Sequence, residues 1–214
     1  MKLLEMTVEG FLAELGSDSP APGGGSAAAL AGAIAASLCE MVCRLTLGRE
    51  AYRDVWAVIE EAQIRAASLG SRLRELVEED AQAFNSVMTA RKLPHVTEEL
   101  KAARERALQE AALRSARVPL ETLEYLAALA DLAVVCADLG NPACVTDAGS
   151  AAQMIRAGGA AAAWNVRVNL PSIKDAKARE ELGSNAAGLL AGIVKASGQV
   201  DAMVEKSMNE RSRT

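Results

Sequence analysis

Residues 20–39 read PAPGGGSAAALAGAIAASLC, three glycines followed by small apolar residues with no charge before Glu40. Proline and glycine break regular structure, whereas alanine is the strongest helix former. The stretch therefore predicts a turn followed by a helix that reaches about Leu47. The first backbone N–H groups of such a helix have no partner within it and are suited to a carboxylate or a carbonyl oxygen. Alternatively, the glycines only turn the chain and the small residues only pack.

Other interpretations of this stretch fit less well. A P-loop needs a lysine after its glycines, and none follows here. The pattern Gly23-x-Gly25-x-x-Ala28 matches a dinucleotide-binding fingerprint only loosely. Such a fingerprint should follow a buried strand, whereas residues 7–15 are predicted to form a short amphipathic helix. A membrane span is disfavoured because alanine, glycine and serine gain little on entering lipid. We therefore expect neither a nucleotide cradle nor a membrane helix.

Length and composition further limit the possible fold and function of the chain. Residues 1–214 are expected to form one domain, and with half the residues apolar but 3% aromatic the core must be aliphatic and helical. The net charge of −5 argues against general binding of nucleic acid, which needs a basic face. The four cysteines and single histidine show no metal-ligand spacing. With neither a signal peptide nor a disulfide framework, a cytoplasmic location is expected.

The middle of the chain reads as long helices. Apolar residues recur every three or four positions over residues 54–90 without a proline, which predicts one helix of about 35 residues. Thr97 should cap the next helix, which Pro119 should restart or kink. The sequence Gly140-Asn141-Pro142 should end that stripe.

The C-terminal part is also predicted to be helical. Thr146 should open a helix that reaches about Asn165, and a last apolar stripe runs over residues 189–203. The tail from about residue 205 is polar and expected to fray. No segment alternates with period two, so we predict an all-α, up-and-down bundle of long helices. It should form a homodimer, because the small-residue helix offers a broad apolar surface, unless that helix lies in the core of a single chain.

One acid falls on the apolar stripe of the long helix. Asp80 lies one turn after Leu76, and Phe84 and Val87 continue the same face. Burial of a carboxylate raises its pKa toward the range useful for proton transfer. Asp80 is therefore a candidate acid or base, unless it forms a structural pair with an arginine.

Polar residues elsewhere are less distinctive. Arg91 lies at the end of the long helix, where the helix dipole favours cations, and is interpreted as a cap. Asn141 and Asp147 flank a helix start and are ordinary turn residues. Asn165 and Asn169 lie one turn apart in an apolar sequence, where a polar ligand could satisfy their amides.

Four segments, in order, resemble the cyclodeaminase/cyclohydrolase family of folate-dependent enzymes. They are PAPGGGSAAAL, EDAQAFNSVMTARKLP, RVPL and NPACVTDAGSAAQMIRAGGAAAAWNVRVNL, and together they span most of the chain. The resemblance implies an all-helical homodimer that binds a tetrahydrofolate derivative as substrate in a cleft. We expect no tightly bound cofactor and no metal, nucleic-acid or membrane partner.

The resemblance favours a formiminotetrahydrofolate cyclodeaminase, which converts 5-formiminotetrahydrofolate to 5,10-methenyltetrahydrofolate and ammonia. A 5,10-methenyltetrahydrofolate cyclohydrolase, which gives 10-formyltetrahydrofolate, stays open because no formiminotransferase domain accompanies the motifs here. A non-catalytic helical dimerisation module is a third hypothesis.

The resemblance also suggests roles for the candidate residues. Asp80 would transfer the proton, and Lys92 is a weaker candidate for proton transfer or for the substrate's carboxylate. Asp147 would hold the guanidine-like edge of the pterin, and Asn165 would orient a polar edge. The full set expected to bind substrate is Pro22, Gly23, Gly24, Gly25, Ser26, Asn141, Asp147, Asn165 and Asn169.

Overall fold

The computed structural model describes residues 2–212, and every regular element in this range is helical. Four short 3-10 turns connect or precede the longer helices: Leu3–Glu5, Glu50–Val55, Pro142–Cys144 and Leu170–Ser172. No strand occurs within residues 2–212, so the all-α prediction is confirmed. The α-helices are α1 (Val8–Leu15), α2 (Gly24–Thr46), α3 (Trp56–Arg91), α4 (Glu98–Leu139), α5 (Val145–Asn169) and α6 (Ala176–Arg211).

Three of the six α-helices within residues 2–212 begin at a side-chain cap. Thr7, Thr97 and Asp175 each precede a helix, and each side chain accepts a hydrogen bond from an N–H group in the first turn. Gly23 takes the same position before α2 without a side chain to offer. The predicted helix start at the glycines is confirmed, since α2 begins at Gly24. The cap at Thr97 and the long helix ending near residue 90 are also confirmed.

Pro119 was predicted to restart or kink the helix, and the structure contradicts the restart, whereas the kink stays a prediction. It neither restarts nor ends a helix, because α4 runs through it for 42 residues. Proline has no N–H group, so the carbonyl of Ser115 four residues earlier loses its helical donor. The side-chain Nδ2 of Asn169 donates to that carbonyl at 3.0 Å. The proline therefore removes one hydrogen bond of the helix, and α5 supplies a replacement.

Three predicted helix limits are also corrected. Cys144, not Thr146, occupies the N-cap of α5, and that helix ends at Asn169, one turn beyond the predicted Asn165. The polar tail expected to fray from about residue 205 continues α6 as far as Arg211, since no proline interrupts it. Residues 213–214 of that tail lie outside the described residues.

Consecutive helices from α2 to α6 run in opposite directions and pack at short range, with α2 between α3 and α5. Small residues permit this approach. A Cβ atom added to Gly70 would lie 2.8 Å from the Cβ of Ala36, and one added to Gly158 would lie 3.0 Å from the carbonyl oxygen of Ala28. The contacts between α2 and its neighbours are therefore set by the absence of side chains.

The helix α2 is apolar enough, by length and composition, to cross a membrane. Its most apolar 18-residue window has a mean hydropathy of 1.7, and 56% of that window is buried within the bundle. A helix buried in the core of a bundle meets the same test of length and composition as a membrane span.

Replacing Gly70 tests the close approach of α2 and α3. Gly70→Leu should lower the free energy of unfolding by about 1–3 kcal/mol, because the new side chain overpacks the contact with Ala36. Chemical denaturation measures the change. Gly188→Leu is the matched control: no atom lies within 4 Å of its added Cβ, so the helix should gain up to about 1 kcal/mol. Equal effects at both positions would contradict this account.

Candidate active site

A cavity of about 290 Å³ opens where α2 begins. The loop before α2 and the facing stretches of α3, α4 and α5 form its walls, so it draws on four separate parts of the chain. The lining residues are Pro20, Ala21, Gly23, Gly24, Gly25, Asp80, Ala83, Phe84, Val87, Arg91, Ala112, Ser115, Asn165, Asn169 and Ser172.

The Asp80 side chain is held against the first turn of α2. Its Oδ2 accepts a hydrogen bond from the Ser26 hydroxyl at 3.0 Å, and that hydroxyl also lies 3.0 Å from the carbonyl oxygen of Val77. A Cβ atom on Gly25 would overlap the carboxyl group. Glycine at this position is therefore required by the approach of Asp80, besides any role in turning the chain.

The environment of Asp80 disfavours its anion relative to a carboxyl group in water. Burial raises the pKa of this carboxyl above its ordinary value of 3.8, while hydrogen bonds from the hydroxyl and backbone of Ser26 act in the opposite direction. Among residues 2–212 no lysine or arginine forms an ion pair with Asp80, so the alternative of a structural pair with arginine does not hold there. The site thus presents a half-buried carboxyl without a cationic partner.

The apolar stripe of α3 leaves the core at Asp80 and becomes a wall of the cavity. Leu76 is fully buried, but Phe84 is 38% exposed and lines the cavity with Val87. Arg91 also lines it, which corrects its interpretation as only a helix cap. Lys92 is the exposed C-cap residue of α3 and is not part of the lining.

The two asparagines of α5 face the same cavity. Asn165 Nδ2 donates to the carbonyl of Ala161 at 2.9 Å, and Asn169 Nδ2 donates to the carbonyls of Asn165 and Ser115 at 2.8 and 3.0 Å. Asn165 also covers the start of α2, where its Nδ2 would lie 3.3 Å from a Cβ on Gly24. The structure therefore brings both asparagines to the cavity that holds Asp80.

Two residues of the glycine motif lie behind the cavity wall. Pro22 and Ser26 are buried and are not part of the lining, whereas the three glycines between them are. The backbone of Ser26, which was expected to bind the ligand, contacts Asp80 instead, and so does its hydroxyl.

Asn141 and Asp147 lie at the other end of the bundle. Asn141 is only 4% exposed; its Nδ2 donates to the carbonyl of Leu45 near the end of α2, and its Oδ1 accepts from the N–H of Ala143. Asp147 begins α5, which runs antiparallel to α2. The 23 residues of α2 separate this end from the cavity by about 33 Å. Within one chain, these two residues are not brought to Asp80.

Sequence reasoning missed three polar members of the cavity, Arg91, Ser115 and Ser172. Arg91 could have been found, because it lies eleven residues after Asp80 and so continues the same helical face through Phe84 and Val87. Ser115 gave no such signal, since its place depends on how α4 packs against α3, where its hydroxyl lies 3.4 Å from the carbonyl of Ala83. No group of three or more potential metal-ligating side chains occurs in the part of the chain that the structure describes.

Comparisons with known proteins agree with this architecture. The family described as formiminotransferase-cyclodeaminase matches residues 7–188. Methenyltetrahydrofolate cyclohydrolase from Methylorubrum extorquens is 40% identical over 185 residues, which are 86% of this chain and 89% of that protein. Formimidoyltransferase-cyclodeaminase from Mus musculus is 34% identical over 88% of this chain, which spans only 35% of the mouse protein.

A solved structure shows the same helical arrangement. Formiminotetrahydrofolate cyclodeaminase from Thermotoga maritima superposes with a TM-score of 0.86 at 27% identity and covers 96% of this chain and 98% of its own. The sequence match, the similar relatives and this fold agree with one another. The chain belongs to the formiminotransferase-cyclodeaminase family.

Proposed function

We propose that this protein acts on the one-carbon unit that joins N5 and N10 of a tetrahydrofolate. The observation that carries the proposal is the Asp80 carboxyl, which lines a cavity of about 290 Å³ without a cationic partner in residues 2–212. Family membership supports the choice of substrate. A cavity of this size suits a bicyclic pterin ring better than a whole folate, whose remaining part would extend from it.

Hydrolysis of methenyltetrahydrofolate is the first candidate reaction. Water attacks the carbon between N5 and N10 while the Asp80 carboxylate takes its proton. The same group then returns a proton to N5 as the carbon–N5 bond breaks. The hydroxyl that came from water loses its remaining proton to the solvent, which leaves the formyl group on N10. The 40% identical relative, which aligns over nearly its full length, carries the name of this activity.

Cyclodeamination is the second candidate. N10 attacks the formimino carbon on N5 and gives up its own proton to the formimino nitrogen. Asp80 in its protonated form supplies a second proton to that nitrogen, and ammonia leaves as its bond to the carbon breaks. The Thermotoga maritima protein, which matches this chain along its whole length, supports this reaction. Neither reaction changes the oxidation level of the carbon, so the proposed chemistry requires no redox cofactor.

The cavity also provides contacts for the rest of the substrate. The exposed ring of Phe84 offers a surface on which an aromatic system can stack. Arg91 lies eleven residues from Asp80, about 16 Å along α3, at the distance where the glutamate carboxylates of a folate would emerge. We assign to Arg91 the carboxylate contact that the sequence suggested for Lys92.

Two substrates distinguish the reactions. Purified protein given methenyltetrahydrofolate should speed the loss of its near-ultraviolet absorbance under hydrolysis. Given 5-formiminotetrahydrofolate, it should increase that absorbance and release ammonia under cyclodeamination. Activity only on the formimino substrate would replace our first candidate with the second. Inactivity on both, without thermal stabilisation by a tetrahydrofolate analogue, would favour a non-catalytic helical module.

Asp80→Asn separates proton transfer from structure. The variant keeps the shape of the side chain but cannot ionise, so kcat should fall by about 100-fold or more while KM changes little. Steady-state kinetics measures kcat and KM separately and so checks this prediction. A higher KM with unchanged kcat would make Asp80 an anchor for the pterin and contradict a catalytic role.

The same variant has a defined effect on stability. The pKa of Asp80 is higher in the folded protein than in the unfolded chain. As pH rises from about 3.8, the Asp80 carboxyl therefore ionises first in the unfolded chain. The free energy of unfolding falls over this range until the pH exceeds the folded-state pKa. Asp80→Asn should lack this loss and be at least as stable as the wild type at neutral pH. Denaturation at several pH values measures it, and a marked loss of stability at neutral pH would contradict the assignment.

We also propose a homodimer formed through α2. Three apolar residues on one stripe of this helix, Ile34, Met41 and Leu45, are 36–45% exposed although α2 is otherwise a core helix. Their spacing of seven and four residues places them on one side. Pairing this surface with a second copy would bury it and produce a symmetric interface.

The mass in solution tests the dimer. The wild type should have about twice the chain mass of 22.3 kDa by light scattering, and the double variant Ile34→Glu/Met41→Glu should approach the mass of one chain. Leu12→Glu, at a 59% exposed position on α1, is the control and should leave the mass unchanged. A wild type that stays at one chain mass across concentrations would rule the dimer out.

A further inference from the structure

Pro119 interrupts the hydrogen bonding of α4 beside the cavity. Within a continuous helix, the carbonyl of Ser115 would accept from the N–H of residue 119, and proline has none. The replacement donor is Asn169 Nδ2, 3.0 Å away on α5. Both Ser115 and Asn169 line the cavity, so a proline in the middle of a helix determines a hydrogen bond at the site wall.

The partners of the two asparagines fix the orientation of their amides. Asn169 Nδ2 contacts two carbonyl oxygens, those of Ser115 and Asn165, and Asn165 Nδ2 contacts the carbonyl oxygen of Ala161. Carbonyl oxygens only accept hydrogen bonds, so a rotated amide would set oxygen against oxygen. Each NH₂ group must therefore face the protein backbone.

The side-chain oxygens are left for a ligand. No group within residues 2–212 donates a hydrogen bond to Oδ1 of Asn165 or of Asn169. The two residues lie one helical turn apart, at positions i and i+4 of α5. The α5 wall of the cavity therefore offers a pair of hydrogen-bond acceptors.

We propose that this pair recognises the N–H-bearing edge of the substrate's pterin ring and that Pro119 is the positioning residue that holds Asn169 in the accepting orientation. The inference rests on the proposed folate substrate. The edge carries the 2-amino group and N3–H, two adjacent donors. It is the edge assigned to Asp147 from the sequence, and Asp147 lies at the far end of the bundle.

Pro119→Ala tests the positioning role. An alanine restores the helical N–H and returns the Ser115 carbonyl to α4, so the bond from Asn169 weakens. The melting temperature should rise, because proline is unfavourable inside a helix. KM for the folate should nevertheless increase by about fivefold to tenfold with kcat changed little, as expected from a weakened ground-state contact. A purely structural proline would leave KM unchanged.

Asn169→Leu and the double variant test the link between the two residues. Asn169→Leu should raise KM by about tenfold or more and lower the melting temperature, since the Ser115 carbonyl loses its donor. Adding Pro119→Ala should then restore thermal stability by more than it adds to the wild type, and should raise KM no further. Additive effects on both quantities would overturn the positioning role.

A substrate analogue tests the recognised edge. Replacing the 2-amino group of the pterin by methyl should weaken binding to the wild type but have little effect on Asn169→Leu, which has already lost the acceptor. Equal discrimination by both proteins would overturn the proposed contact. If the wild type neither binds nor converts any folate, both the proposed function and the pterin contact are wrong. If the wild type converts a folate but Pro119→Ala and Asn169→Leu leave KM unchanged, only the pterin contact is wrong.

Discussion

The site depends on the contact between the Asp80 carboxyl and the first turn of α2. This contact exists because Gly25 has no side chain and because Ser26 supplies a hydroxyl and a backbone group to the same carboxyl. Partial burial disfavours the anion, and the hydrogen bonds from Ser26 offset part of that cost. The start of α2, the position of α3 and the protonation of Asp80 are therefore not independent, and a larger residue at position 25 would disturb all three.

Much of this arrangement could be predicted from properties that repeat along the chain. The 3–4 periodicity gave the length of α3 and placed Asp80 on its inner face, and turn residues gave the ends of α2 and α4. The same periodicity did not show where the inner face changes from core to cavity. Leu76 and Phe84 look equivalent in sequence, yet one is fully buried and the other is 38% exposed, because only tertiary packing decides what covers them.

The errors have a common physical origin. The restart of α4 expected as one alternative at Pro119 does not occur, because local rules describe what a proline removes and not what another helix supplies in return. The donor comes from Asn169, 50 positions later. Asn141 and Asp147 were assigned to the substrate because they belong to a recognised motif. That motif runs along α5, so its first residues lie at the end of the bundle far from the site. Its last residues, Asn165 and Asn169, line the cavity.

The many alanines and glycines of α2 have a consequence for rigidity. Alanine and glycine have no side-chain rotamers to lose, so burying them carries almost none of the conformational entropy cost that larger side chains incur. For the same reason, alanine and glycine cannot change rotamer to accommodate the movement of a neighbouring helix. A displacement of α3 would have to be taken up by the backbone of α2, at contacts such as that between Gly70 and Ala36. The core thus acts as a stiff frame that keeps the Asp80 carboxyl in place before any ligand arrives, which lowers the ordering cost of binding.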